Sequence, residues 1–225
     1  MSWDDDYHRY QEEAAMEAFR EEELRRIAEE PVFGYLAVHG DAIEARVKRC
    51  LAEAQVLSGS GHHGAALTRA ASGVEVTIRF FLARPLVQGA FLSEDWAELL
   101  SQKVLSGRTA EDRELLPAIL WNWRIDITKV KLPDGSQAWE QIVRRVWPRR
   151  NDYVHKADDA SADEALLAIE CLTALLSQVV DPLATRLGFT REQTGCWSVV
   201  AAKNPPEHLN LNPPRTHPRR DPFLV

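Results

Sequence analysis

The chain has 225 residues, of which 45% are hydrophobic and 27% charged, and its net charge is −7. This composition excludes wholesale disorder, and the length is enough for one well-buried core. No apolar run approaches the 18 or so residues of a membrane span, and the first thirty residues are acidic rather than leader-like, so we expect a cytoplasmic protein without a membrane partner. Cys50, Cys171 and Cys196 form no Cys-x-x-Cys pair, which argues against a disulfide framework or a zinc ribbon.

The acidity belongs to the N-terminal segment. Residues 1–30 hold eleven Asp or Glu against four Arg, so the rest of the chain is neutral overall. A uniformly basic nucleic-acid binder is therefore excluded, although a local basic patch is not. The segment has a helix-forming composition with a thin apolar stripe through Ala15 and Phe19, and it predicts an amphipathic arm. Such an arm is either a solvated helix or a cover for a basic surface.

Helical periodicity then dominates the chain. Pro31 and Gly34 interrupt the pattern, and a core helix is predicted to begin near Asp41. A second, broad apolar helix is predicted over residues 64–84. Further helices are predicted from Ser93 to about Ser106 and over residues 109–123.

The next segment changes character. Residues 127–132 alternate and lead into a Pro-Asp-Gly turn, which favours a short strand or an extended insertion. A helical pattern resumes at Ala138 and is predicted to stop at Pro148, so that a new element begins there. Ser161 opens the longest apolar helix with a capping-box pattern, and this helix should pack against the 64–84 helix. After Gly188 the proline-rich sequence predicts an extended tail.

The stretch "RNDYVH", residues 150–155, is the strongest candidate for chemistry. Asn151 and His155 lie four residues apart and share a helical face, and the long Arg150 side chain can swing toward the same point. Residues 141–156 also carry five basic side chains against Asp152, a local charge of +4 that suits a polyanion. The predicted nucleic-acid contacts outside the motif are Arg144, Arg145, Arg149 and Lys156.

An Arg-Asn-x-x-x-His element between apolar helices resembles the HEPN superfamily (higher eukaryotes and prokaryotes nucleotide-binding). The resemblance covers residues 36–187. It implies an all-α, HEPN-like helical bundle of four to five core helices, here with an acidic arm at residues 1–35 and an irregular tail at residues 188–225. It further implies a homodimer that joins two motifs, and a metal-independent endoribonuclease of a toxin–antitoxin or phage-defence system.

The same resemblance assigns the candidate catalytic residues. Arg150 and His155 would form the centre of the site, Asn151 would set its geometry, and Glu75 matches a polar position that some families place on the facing helix. RNA would be the substrate, with an antitoxin or regulatory protein as a further partner and no cofactor or metal.

These residue types suit RNA cleavage by the 2′-OH. One group must remove the hydroxyl proton and another must protonate the leaving 5′-oxygen, and imidazole can do either near neutral pH. A guanidinium fork matches the charge that develops on the phosphate oxygens. Because the reaction needs the 2′-OH, DNA should not be cleaved.

Several other interpretations stay open. The domain is alternatively a non-catalytic nucleotide- or RNA-binding or dimerisation module, or a plain helical interaction protein with an accidental motif. Glu75 is alternatively the ion-pair partner of Arg79. The tryptophans near the motif serve either as core and interface packing or as a base-stacking platform. The glycines and histidines of residues 58–64 lack a P-loop ending and are expected to be loop or capping residues.

Overall fold

A computed structural model describes residues 3–89, 110–123, 125–189 and 197, and within these residues the chain is helical with no β-strand. The predicted all-α bundle is confirmed. The predicted helix from Ser93 to Ser106 lies outside the described residues. The α-helices are α1 Trp3–Gly59, α2 His63–Val76, α3 Arg84–Gly89, α4 Ala110–Asn122, α5 Ala138–Gln141, α6 Trp147–Lys156, α7 Ala162–Leu175 and α8 Asp181–Arg186.

Helix α1 is continuous over the predicted interruption. It contains Pro31 and does not begin near Asp41, so that prediction is wrong. Phe33 and Leu36, just beyond the proline, are buried in the core, and their burial offsets the hydrogen bond that a proline removes from a helix interior. The arm and the bundle therefore share one helix, and the described side chains between residues 8 and 20 are exposed.

Three of the helices pass through a π-helical segment shortly before a proline. These segments are Thr77–Ala83, Ile142–Val146 and Leu176–Val180, and the prolines are Pro85, Pro148 and Pro182. The i→i+5 pattern widens the helix where the proline ring would otherwise meet a carbonyl group and leave it without a donor. The predicted break at Pro148 is therefore wrong, and the helix runs on from Ala138 to Lys156.

Helix α2 forms the centre of the bundle and packs against α1 and α7. A Cβ at Gly73 would meet the side chain of Leu172 at 2.5 Å, so α2 and α7 approach closely there. The capping box of Ser161 and Glu164 opens α7 as predicted. By length and composition, Ala162–Arg186 could also cross a membrane, with a mean hydropathy of 1.6, but half of its apolar window is buried within the bundle. These contacts are those of a core helix.

The segment between α4 and α5 is extended around a tight turn. Lys131 and Gln137 form an isolated antiparallel bridge, and Gly135 at the turn has a φ of +83°, a conformation that glycine adopts without strain. The Gln178 side chain holds this segment through both backbone groups of Lys131, at 3.1 and 2.7 Å. The predicted turn and the extended backbone from residue 130 onward are confirmed, whereas Ile127–Lys129, predicted as part of the same extended stretch, form a short 3₁₀ helix.

Two aromatic residues beyond Gly188 belong to the core. Phe189 and Trp197 are both buried, and the Trp197 indole N–H donates to Glu44 at 2.5 Å. A Cβ at Gly40 would meet the Trp197 ring, so a small residue on α1 makes room for it. The segment predicted as a tail thus contributes to the bundle at these two positions.

Candidate functional site

Helix α6 carries the whole motif. Pro148 lies in its first turn, and the helix ends where Ala157 takes a left-handed conformation with a φ of +56°. Tyr153 fixes α6 on α2, because its ring occupies the space that a Cβ at Gly64 would need. Sequence reasoning missed Tyr153, although a glycine in the first turn of a core helix was a signal of close approach.

The motif spreads around α6 rather than along one face. Arg150 is half-buried, whereas Asn151 and His155 are exposed. At about 100° per residue, Asn151 and His155 lie about 40° apart, and Arg150 lies about 140° from His155. The predicted shared face of Asn151 and His155 is therefore present, and Arg150 turns from it toward the interior.

Arg150 joins the exposed face to helix α2. Its Nη1 donates to the Asn151 side-chain oxygen at 3.0 Å, and its buried Nε has no hydrogen-bond partner. The guanidinium acts electrostatically on Glu75 of α2. Three of the predicted residues are thus linked, Asn151 to Arg150 by a hydrogen bond and Arg150 to the half-buried Glu75 by charge alone.

Glu75 is held in a partly desolvated position. Burial raises the pKa of its carboxyl group, and the positive charges of Arg150 and Arg79 oppose this rise without cancelling it. The desolvation effect therefore exceeds the attraction of both arginines. Arg79 is a charged neighbour that sequence reasoning considered only as an alternative partner of Glu75, and both arginines act on it.

His155 has no described interaction with Glu75, Arg150 or Asn151. It is exposed, and among the described residues it has no hydrogen bond or ion pair that would fix its ring. The surface around it is shaped by Asn151, one turn earlier on the same face. The arrangement leaves an imidazole open to solvent beside an amide that is already bonded to an arginine.

The predicted basic contacts are all engaged within the chain. Arg149 Nε lies 2.6 Å from Glu164 and its Nη1 lies 3.2 Å from Asp158, and its Nη2 donates to the Asp159 carbonyl group. Burial acts to lower the pKa of Arg149, but the carboxylates of Glu164 and Asp158 raise it on balance. Arg149 therefore clamps the α6–α7 connection.

The other three cations are exposed and have partners on their own helix. Arg144 Nη1 lies 3.0 Å from Glu140, Lys156 Nζ lies 2.8 Å from Asp152, and Arg145 Nη1 donates to Gln141 at 3.3 Å. Residues 140–164 contain five basic and six acidic residues. The local charge of +4 that the sequence indicated is thus balanced by carboxylates that flank it.

A cleft of about 220 Å³ lies beside α6, and Pro148, Arg149 and Asp152 of this helix line it. Its floor is apolar and includes the buried side chains of Leu67, Val146 and Leu167. Charged groups of both signs surround it, and these are Arg144, Arg145, Arg149, Asp152 and Glu164. No sequence pattern predicted this cleft, because its lining comes from helices that are far apart in the chain.

Besides Arg150 Nε, the buried nitrogen atoms near the motif that lack a hydrogen-bond partner include His63 Nδ1 at the start of α2 and Trp147 Nε1 at the start of α6. Trp147 packs edge-on against Trp139, with ring centroids 5.8 Å apart. Trp139 is buried and Trp147 half-buried, which agrees with a packing role. In the part of the chain that the structure describes, no three His, Cys, Asp or Glu side chains are grouped so that they could hold a metal ion.

No protein-family model, curated protein or solved structure matches this chain.

Proposed function

We propose that the protein is a metal-independent endoribonuclease whose site is formed by Arg150, Asn151 and His155. The observation that carries the proposal is the arrangement of these residues on α6. The Arg150 guanidinium is bonded to Asn151 at 3.0 Å, and the exposed His155 ring lies one turn further along the same face as Asn151. A phosphate bound beside Asn151 would have the Arg150 guanidinium on one side of this amide and the His155 imidazole one turn further along the helix.

The reaction follows from the chemistry of these groups. The 2′-oxygen attacks the adjacent phosphorus and forms the new P–O bond, an imidazole accepts the 2′-OH proton, and the P–O5′ bond breaks as O5′ receives a proton. The products are a 2′,3′-cyclic phosphate and a free 5′-OH. Arg150 compensates the charge that develops on the nonbridging oxygens, for which two parallel guanidinium N–H donors are well matched.

The proposal includes a homodimer. The reaction needs one base and one acid, and the motif supplies one histidine per chain. Two copies of α6 facing each other would bring two His155 side chains to one phosphate. Val154, which is 46% exposed beside His155, offers apolar surface for such a contact.

Glu75 enters the proposal as a positioning residue. It attracts the Arg150 guanidinium from the α2 side, while Asn151 holds it from the surface side. A guanidinium fixed between two partners loses less side-chain entropy when a phosphate binds.

One observation favours a non-catalytic RNA- or nucleotide-binding module as the second candidate. A general base is commonly oriented by a third group, and His155 has no such partner among the described residues. In this alternative Arg150 and His155 bind a phosphate without transferring protons.

The deciding experiment is cleavage of mixed single-stranded RNA in excess EDTA by the wild-type chain and by Arg150→Ala and His155→Ala. We expect each substitution to lower the rate by about 10²–10⁴-fold, with DNA of the same sequence uncut. His8→Ala and Arg49→Ala, which remove exposed side chains on α1, are the matched controls and should cleave like the wild type. RNA binding without cleavage by the folded wild-type chain would support the binding module instead.

The cellular role as a toxin or phage-defence effector in the cytoplasm is part of the same proposal. Expression of the wild-type chain in a bacterial host should slow growth, and His155→Ala should restore it. Equal growth of both strains, with equal amounts of protein, would count against a toxin.

A further inference from the structure

The cleft beside α6 has no part in the reaction described above, yet it lies next to the residues that carry it. Around the helix axis, His155 stands between Asn151, about 40° to one side, and Asp152, about 60° to the other. Asn151 faces the Arg150 side, whereas Asp152 lines the cleft. A nucleotide whose phosphate lies at Asn151 and His155 therefore has the cleft on its other side.

The shape and lining of the cleft suit a flat, polar-edged ring. Leu67, Val146 and Leu167 provide an apolar floor, which can cover the face of an aromatic base. The volume of about 220 Å³ is below the range of about 300–1,000 Å³ that is usual for drug-sized ligands. A single base is consequently a better match than a larger molecule.

The polar rim determines which base edge would be favoured. Lys156 occupies Oδ1 of Asp152 at 2.8 Å, which leaves Oδ2 to accept a hydrogen bond from a ligand. Glu164 is already bonded to Arg149 and to the Ser161 backbone N–H, so Asp152 is the better acceptor of the two carboxylates. A carboxylate accepts hydrogen bonds from the exocyclic amino groups of bases and repels a carbonyl oxygen.

We infer that this cleft is a base-recognition subsite of the proposed ribonuclease, which selects a nucleotide with an exocyclic amino group over uracil beside the cleaved bond. The inference rests on the proposed function. Asp152 is the specificity residue, and Arg144 and Arg145 at the rim hold the neighbouring phosphate. Among the described residues, their exposed guanidinium groups are bonded to Glu140 and Gln141 of the preceding helix turn, and a phosphate can compete with such surface contacts.

The first test measures cleavage of oligouridine substrates that contain one cytidine, with the cut positions identified by sequencing. The wild-type chain should cut beside the cytidine at least about tenfold faster than between uridines. Asp152→Asn should reduce this ratio to below about threefold, because an amide both donates and accepts. Asp152 is half-exposed, so the variant is expected to fold.

A second variant tests the cleft itself. Leu167→Trp places a large ring into the apolar floor and should abolish the preference for cytidine. Leu166→Trp, on the neighbouring and 52% exposed position of α7, is the matched control and should keep it. Equal cutting at every base by an active wild-type chain would overturn the subsite and leave the ribonuclease standing.

Binding of mononucleotides tests the base-recognition subsite independently of the proposed ribonuclease activity. Calorimetric titration of the full chain with CMP and UMP needs no cleavage, and CMP should bind about tenfold more tightly in an Asp152-dependent manner. That result from a chain without ribonuclease activity would support the subsite and contradict the proposed function. Equal affinity for CMP and UMP would overturn the subsite whether or not the chain cleaves RNA.

Discussion

Arg149 and Arg150 are neighbours in the sequence, yet their surroundings differ. Arg149 contacts Asp158, Glu164 and a backbone carbonyl group, so its donors are directed to the connection between α6 and α7. Among the residues that the structure describes, Arg150 has one hydrogen bond, to Asn151. A cation that is paired with two carboxylates stabilises a fold, whereas a cation with a single amide partner keeps donors that can receive an anion.

The two arginines also differ in what surrounds their charge. Burial acts to raise the pKa of Glu164, which lies beside Arg149, but the Ser161 N–H and the Arg149 guanidinium lower it on balance. The carboxyl group near Arg150 shows the opposite result, because burial raises the pKa of Glu75 despite two arginines. Arg149 is ion-paired with Glu164 and Asp158, whereas Arg150 has no ion pair within the described residues, which suits the binding of a phosphate.

The largest change in stability should come from the contact between α6 and α2, because α6 carries both arginines. Gly64→Ala would put a methyl group into the Tyr153 ring and should lower the free energy of unfolding by about 1–3 kcal/mol. Urea unfolding followed by circular dichroism measures it. Gly59→Ala is the matched control, because nothing lies within 4 Å of its Cβ, and it should leave stability unchanged or raise it by a few tenths of a kcal/mol or more. A stable Gly64→Ala chain would show that Tyr153 does not determine the position of α6.

A smaller effect should separate the two arginines themselves. Arg149→Gln removes contacts to Asp158 and Glu164 and should lower the urea midpoint, because two carboxylates lose their partner. Arg150→Gln should change the midpoint less, since the one hydrogen bond of Arg150 within the described residues is to Asn151 and Gln can still reach that side chain. The midpoints of the two purified variants are compared at the same pH and salt. A larger loss for Arg150→Gln would mean that Arg150 is the structural arginine.

The helical elements could be predicted because their signals are local. The capping box at Ser161 and Glu164 and the turn at Gly135 need only a few adjacent residues, and both are present. The continuity of the helices could not be predicted in the same way. Pro31 and Pro148 normally end helices, and the π-helical segment before Pro148 and the burial of Phe33 depend on packing that no local window contains.

In the candidate site, too, the local features could be predicted and those that depend on packing could not. The shared face of Asn151 and His155 follows from helix period alone. The electrostatic action of Arg150 on Glu75 depends on how α6 lies on α2, and Gly64 and Tyr153 set that position. The predicted local charge of +4 was too high, because Asp158 and Glu164, which pair with Arg149, lie beyond the end of α6.

The smallest effect should come from Glu75, and it tests whether desolvation or ion pairing dominates on the Arg150 side. The folded chain raises the pKa of this carboxyl group above its ordinary value of 4.5, so the native state binds the proton more tightly than the unfolded state does. Its contribution to stability is present below the unfolded pKa and is lost as the pH rises through the folded pKa. Glu75→Gln resembles the protonated form at every pH. The variant should therefore match the wild type near pH 4 and become the more stable chain as the pH approaches 7, as measured by melting temperature across that range. A variant that becomes less stable than the wild type with rising pH would mean that the ionised carboxylate gains more from Arg150 and Arg79 than it loses by burial. In that case a carboxylate would neutralise the charge of Arg150 as carboxylates do for Arg149, and the contrast between the two arginines would disappear.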